Sequence, residues 1–143
     1  MTKCMKYLSL LLLIGLYSLV TYWLWWPYTI MEIQQPIKVS NPDRVAYAGE
    51  DFVYELHYSK TTSLSASVSK NLINDYIITL TPVSGNLPTG ENLTKKISVN
   101  IPGYACPGKY RLRWVAHYKV NPLRIIQVEA WSEEFTVLRR DQK

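Results

Sequence analysis

The sequence predicts a mainly β protein in which a single N-terminal transmembrane helix precedes a seven-stranded antiparallel β-sandwich. Three observations carry this. Residues 7–31 hold no charge and are rich in Leu, Ile, Val, Trp and Tyr, a run long enough to cross a hydrocarbon layer of roughly 30 Å at about 1.5 Å per residue. Beyond residue 36, short stretches alternate apolar and polar residues and are bounded by Gly, Pro, Asn or Asp, the pattern of half-buried strands. The 143 residues, less the apolar segment, suit one domain with its own core.

The apolar segment is read as an uncleaved anchor. Its core, Leu8 to Val20, is followed by Tyr22, Trp23, Trp25, Trp26 and Tyr28, whose amphipathic rings favour the headgroup level, and Pro27 is expected to end the helix there. A cleaved secretory signal shares the basic head and apolar run, but it needs small residues where this chain has bulky aromatics. Lys3 and Lys6 precede the run and Glu32 is the first charge after it, so the positive-inside rule leaves the N-terminus cytoplasmic and the C-terminal domain outside, periplasmic in a bacterium. The expected organisation is a cytoplasmic head over 1–6, the anchor over 7–26, a stalk over 27–36, the sandwich over 37–138 and a basic tail over 139–143.

The strands follow in order. PYTIMEIQQP, with a proline at each end and no helical stripe, reads as an extended stalk or a first edge strand. The first strand covers Ile37–Ser40 with a continuation through Val45–Tyr47, and Ala48-Gly49-Glu50 turns the chain. In the second, Phe52, Tyr54, Leu56 and Tyr58 face the core. Ser63–Leu72 is a polar strand placed near an edge. Asn74-Asp75 turns into a fourth strand with Tyr76, Ile78 and Leu80 on one face, and Pro82–Gly90 is a loop by composition. Ile97, Val99 and Ile101 alternate with polar residues until Pro102. Tyr110, Leu112, Trp114, Ala116 and Tyr118 form the apolar face of the sixth strand. After the turn at Val120-Asn121-Pro122, Ile126, Val128 and Ala130 share that face. Phe135 and Val137 have the opposite parity, which a bulge near Ser132–Glu134 would repair.

The words AGEDFVY (48–54) and PGKYRL (107–112) resemble the openings of the second and sixth strands of many immunoglobulin-like domains, and Tyr110 after Pro-Gly-Lys resembles a tyrosine corner. The resemblance implies a seven-stranded immunoglobulin-like sandwich. Leu56 and Leu112 stand where antibody domains place paired cysteines, so the antibody branch is excluded. The whole layout, from basic head and aromatic-ended anchor to the Asn-Pro of the last hairpin, resembles small membrane-anchored proteins encoded by tailed bacteriophages, which implies a setting at the host envelope rather than an activity.

Composition excludes several functions. Removing the two head lysines leaves 14 basic against 11 acidic residues, too weak and dispersed a charge for nucleic-acid binding. The two histidines, His57 and His117, fall on outward faces without a close-spaced partner, so no metal site is expected. No Gly-x-Ser-x-Gly elbow surrounds a serine and no glycine-rich phosphate loop exists, so neither catalytic residues nor a cofactor is expected, and the protein is not read as an enzyme. Cys4 and Cys106 lie on opposite sides of the anchor and cannot pair within one chain. Cys106 leaves self-association through an intermolecular disulfide open.

What remains is binding. If the last two strands pair around Asn121, Arg113 faces Glu129 and Arg111 faces Trp131. An exposed Trp ringed by Arg has the composition of an interface anchor, although cross-strand surface pairing accounts for it as well. Entry from the membrane places Lys60, Lys119 and Arg124 toward the headgroups. The far tip then carries Arg44, Tyr104, Cys106 and the tail Arg139, Arg140 and Lys143. The expected function is a non-enzymatic, membrane-tethered interaction domain whose partners are membrane lipid and another envelope or phage protein. A structural subunit of a membrane or envelope complex is the alternative, and a lysis-related membrane factor a third.

Overall fold

The structure is a computed structural model and describes residues 3–26 and 28–142. Pro27, the expected helix terminator, and Lys143 of the tail lie outside the described residues. A 23-residue helix, α1 (Lys3–Trp25), is followed by eleven strand segments: β1 (Met31–Ile33), β2 (Lys38–Val39), β3 (Val45–Tyr47), β4 (Asp51–Lys60), β5 (Ala66–Ile73), β6 (Ile77–Thr79), β7 (Val83–Gly85), β8 (Gly90–Asn100), β9 (Gly108–Asn121), β10 (Arg124–Trp131) and β11 (Phe135–Leu138). The helix is long and apolar enough for a membrane span or a signal sequence, and no part of its apolar window is buried against the rest of the chain.

The strands form two facing sheets. In the smaller one, β4 is central, with β8 on one flank and β1 and β2 in succession on the other. In the larger one, β9 is central, with β5 on one flank and β10 then β11 on the other. β6 and β7 extend β5, and β3 adds in parallel to β11. The eleven segments occupy seven strand positions plus the β3 segment, because β1 with β2, β6 with β7 and β10 with β11 each share one position. The expected all-antiparallel pattern is corrected by the parallel β3–β11 pair: the first strand leaves one sheet after β2 and joins the other as β3.

The core follows the alternation. Phe52, Tyr54, Leu56 and Tyr58 of β4 face Tyr110, Leu112, Trp114, Ala116 and Tyr118 of β9, all buried, and Phe52 stacks on Phe135 with ring centroids 4.2 Å apart. Each such side chain contributes about 1.5–3 kcal/mol through burial. The change of parity falls at Ser132–Glu134. β10 stops at Trp131 and β11 begins at Phe135, while buried Ser132 accepts the Leu112 amide at 2.8 Å and donates to the Glu133 carbonyl. That hydroxyl satisfies backbone groups the interrupted ladder would otherwise strand.

Of the two readings of PYTIMEIQQP, the edge strand is the one formed and the stalk assigned to 27–36 is corrected: Ile30 and Met31 are buried in the core, and β1 pairs with the end of β4, so the sandwich begins only a few residues after the helix. The serine-rich strand lies near an edge as expected, one position in, since β5 (Ala66–Ile73) pairs with β9 on one side and the edge falls to the three-residue strands β6 and β7 on the other. Short edge segments offer little template for unwanted pairing. The expected 82–90 loop is corrected, because it contains β7.

Candidate functional site

At the joint between helix and sandwich, the last carbonyls of an α-helix lack intrahelical partners and carry partial negative charge. Here the β9–β10 turn supplies donors. The Asn121 amide donates to the Trp23 carbonyl at 2.9 Å, and the Arg124 guanidinium donates to the Trp26 carbonyl at 2.5 Å. Arg124 also lies 6.0 Å from the Tyr28 ring centroid, and the Tyr22 and Trp26 rings are in contact. Of the expected aromatic belt, Tyr22, Trp25 and Trp26 are exposed, while Trp23 and Tyr28 are half-buried. Lys119 is exposed at the same end, but Lys60 is not: it is 2 % exposed. Its ammonium donates to the Leu64 carbonyl, the Asn86 side-chain oxygen and the Leu87 carbonyl at 2.8, 2.5 and 3.1 Å, and lies 5.4 Å from the Tyr118 ring centroid. The expectation that Lys60 faces headgroups is therefore corrected. As the last residue of β4 it falls on the inward parity, and three oxygens hold it there.

The outer face of the β9–β10 hairpin differs from expectation by one pairing step. Arg113, not Arg111, stands opposite Trp131, and Glu129 stands opposite Val115. The shift arises because the ladder is irregular between Arg124 and Ile125, which moves the register away from a symmetric turn on Asn121. Arg113 still reaches diagonally to Glu129 with a two-pronged ion pair, Nε to Oε1 at 2.9 Å and Nη2 to Oε2 at 3.0 Å. Its guanidinium lies 5.8 Å from the Trp131 ring centroid. The pair lowers the Glu129 pKa, chiefly through the hydrogen bonds from Arg113. Arg111 is exposed and pairs through its backbone with Ile73. Arg113, Glu129 and Trp131 thus form one cluster of half-buried side chains, with Arg111 beside it.

β9 spans 14 residues, about 45 Å, which puts its Gly108 end far from the helix. Tyr104 and Cys106 are exposed there. The Tyr110 hydroxyl donates to the Cys106 carbonyl at 2.8 Å, the bond that defines a tyrosine corner. Tyr76 joins it, contacting the Tyr110 hydroxyl and accepting the Cys106 amide. Arg44 is not drawn into this group: its guanidinium reaches Glu133 at 3.4 Å. Arg140 of the tail bonds Glu50 at 2.6 Å.

The histidines sit where expected on outward faces. His57 bonds Thr94 at 2.8 Å and lies 3.6 Å from Glu55, whereas Glu129 is engaged by Arg113 and not by His117. Among the described residues no group of three or more His, Cys, Asp or Glu is placed to hold a metal ion. Both cysteines are free and exposed.

Sequence reasoning missed one region. Between the free edge of β8 and the edge strand β7 the two sheets part, leaving a groove of about 190 Å³ whose floor is Tyr54, Trp114 and Tyr118. Lys70 of β5 lies in its wall and is 7 % exposed. The signal was present: in Ala66, Val68, Lys70 and Leu72 a lysine occupies an inward position of an alternating strand.

No protein-family model matches the chain, and no curated protein matches it. Solved structures are similar in fold at low identity. The CARDB domain of a Pyrococcus furiosus protein, in complex with di-metal ions, has 12 % identity over 80 % of this chain and 99 % of that one, with a TM-score of 0.40. A Pseudomonas fluorescens alkylpurine DNA glycosylase has 13 % identity over 78 % of this chain, with a TM-score of 0.43, and a Listeria innocua β-glucosidase has 12 % identity over 77 %, with a TM-score of 0.40. This chain spans 31 % of the glycosylase and 16 % of the glucosidase. The likeness is to CARDB-type and immunoglobulin-like β-sandwich domains as architecture.

Proposed function

We propose that the chain is a non-enzymatic, membrane-tethered binding domain that displays one rigid face and one tip to a protein partner outside the membrane. The observation that carries this is the joint. Asn121 and Arg124 cap the end of the apolar helix with side-chain donors, and β1 begins six residues after the helix ends. A domain that only needed to be retained near a membrane could hang on a flexible linker. A capped joint fixes which surfaces look outward. The surfaces so presented are the Arg113–Glu129–Trp131 face with Arg111, and the tip with Tyr104 and Cys106. Arg and Trp are the residue types that anchor interfaces.

In this reading the helix is an uncleaved anchor, the N-terminus is cytoplasmic, and the partner is an envelope protein or a phage protein, in keeping with the layout shared with phage-encoded membrane proteins. The sandwich is immunoglobulin-like with seven strand positions. Replacing the helix by a cleavable leader that releases the sandwich tests the tether. Loss of co-purification with its partner, or of the expression phenotype, is the expected result. Full activity of the released domain would remove the reason for an anchor.

A further inference from the structure

We propose that the groove between β7 and β8 is a binding site for an aliphatic monocarboxylate of about octanoate size, with the Lys70 ammonium holding the carboxylate. The inference goes beyond the tethered-domain reading and does not depend on it.

One lysine of an inward-facing strand position borders the cavity. Lys70 lines the groove at 7 % exposure and makes no hydrogen bond or ion pair with any described residue. Its neighbour in kind, Lys60, shows what this fold does with a buried ammonium it must satisfy internally, giving it three oxygens. The Tyr54 ring lies in the groove floor while its hydroxyl is enclosed beside the Trp114 indole. Burial lowers the Lys70 pKa, so its environment disfavours charge until something compensates. A carboxylate, with two oxygens and only acceptors, would supply the partner the ammonium lacks.

The remaining lining fixes the sign and shape of the ligand. No acidic residue borders the groove, and Lys95 of β8 adds a second positive charge at its margin. The other walls are aliphatic or aromatic, with Val68 and Val83 on one side and Leu87 and Ile97 toward the other. A 190 Å³ cavity compares with the roughly 150 Å³ engineered cavity that accepts benzene. Lys70 and Val83 also border a second, more polar depression lined by Leu80 and Val99 together with Thr79, Thr81, Ser98 and Asn100.

The test uses the full chain in nanodiscs of neutral lipid at pH 7.4, with [1-13C]octanoate followed by NMR and binding heat measured in parallel. Octanol and octylammonium serve as controls, and Lys70→Met and Tyr54→Phe as variants. Octanoate should bind saturably, at least about tenfold more tightly than either control. K70M should lose about tenfold or more in octanoate affinity with octanol unaffected, whereas Y54F should leave octanoate affinity unchanged. K70M should also unfold at a higher temperature than the parent, which separates lost binding from lost fold. Absence of saturable binding at millimolar octanoate would overturn the proposal, as would equal affinity in K70M or octanol binding as well as octanoate.

Discussion

The Asn121 side-chain amide donates 2.9 Å to the backbone carbonyl of Trp23, 98 residues earlier in the chain. The same side chain accepts the Leu123 amide through Oδ1 at 3.0 Å. One residue thus shapes the hairpin turn with its oxygen and holds the helix end with its nitrogen. Asn121→Asp separates the roles, since it keeps the turn acceptor and places an anion against the negative end of the helix. Amide exchange over Trp23–Trp26 should rise about two- to tenfold, as for the loss of one net hydrogen bond, with the melting temperature of the sandwich little changed. Unchanged exchange at the helix end would mean the joint contributes nothing to orientation.

The tyrosine corner makes a second prediction. Tyr110 is 1 % exposed and its hydroxyl holds the Cys106 carbonyl while contacting Tyr76. Tyr110→Phe keeps the ring packing and should lower stability by about 1–2 kcal/mol in urea unfolding. Tyr76→Phe should cost less, because Tyr76 is the more exposed partner. A larger loss in Y76F than in Y110F would show that the corner is not what holds the turn.

Topology is open to a direct chemical measurement. Cys4 and Cys106 are both free and exposed; Cys4 lies in the first turn of the apolar helix and Cys106 at the far tip of the sandwich. If the helix spans the membrane with its N-terminus inside, a membrane-impermeant maleimide applied to cells with a permeable outer envelope labels Cys106 and spares Cys4. Labelling of Cys4 alone would invert the orientation, and release of a labelled fragment lacking the helix would establish cleavage.

The Glu129 carboxylate is held below its ordinary pKa, first by hydrogen bonds from Arg113. A depressed carboxylate adds stability above its unfolded pKa, and that contribution disappears as the pH falls through the folded value. Wild type should therefore exceed Glu129→Gln in stability at pH 7, with the gap closing as the pH falls below the ordinary glutamate pKa and through the lowered folded one. A gap that persists unchanged to pH 3 would assign the effect to packing of the Arg113 stem on Trp131 rather than to charge.

Much of this was legible because strand parity is a local signal. Phe52 through Tyr58 and Tyr110 through Tyr118 announce their buried faces, and the parity clash at Phe135 located the break at Ser132 before any pairing was known. The register of the last hairpin was not legible. It depends on an irregularity at Arg124/Ile125 that no residue pattern marks, so Arg113 took the place expected of Arg111 over Trp131. Burial of Lys60 was hidden for another reason, because its three acceptors come from residues 64, 86 and 87, which only the fold assembles. The aliphatic stem of a lysine fits an apolar wall, so neither Lys60 nor Lys70 disturbs the hydrophobic pattern enough to be noticed.

Lys70 supplies the last prediction, and its sign can be worked out in advance. Burial lowers its pKa below the ordinary lysine value, so between the folded pKa and about 10.4 the unfolded chain binds more protons than the native one. Stability then rises with pH across that window, as an unfavourable buried charge is relieved by deprotonation. Tyr54, Tyr58 and Tyr118, whose pKa values burial raises, act in the opposite direction once the pH passes about 10, where the unfolded chain loses their protons first. Lys95 at the groove margin and Lys60 are common to both proteins, so the difference between wild type and Lys70→Met isolates the one ammonium. At pH 7 K70M should be the more stable, because the substitution removes an ammonium whose charge burial disfavours. Its advantage should shrink as the pH rises through the folded pKa of Lys70 toward about 10.4. If octanoate occupies the groove, saturating ligand should shrink the same advantage at pH 7.4, because the carboxylate offsets in the parent what the substitution removes. An advantage for K70M that is indifferent to both pH and ligand would mean that the Lys70 ammonium reaches water and that the groove carries no uncompensated charge.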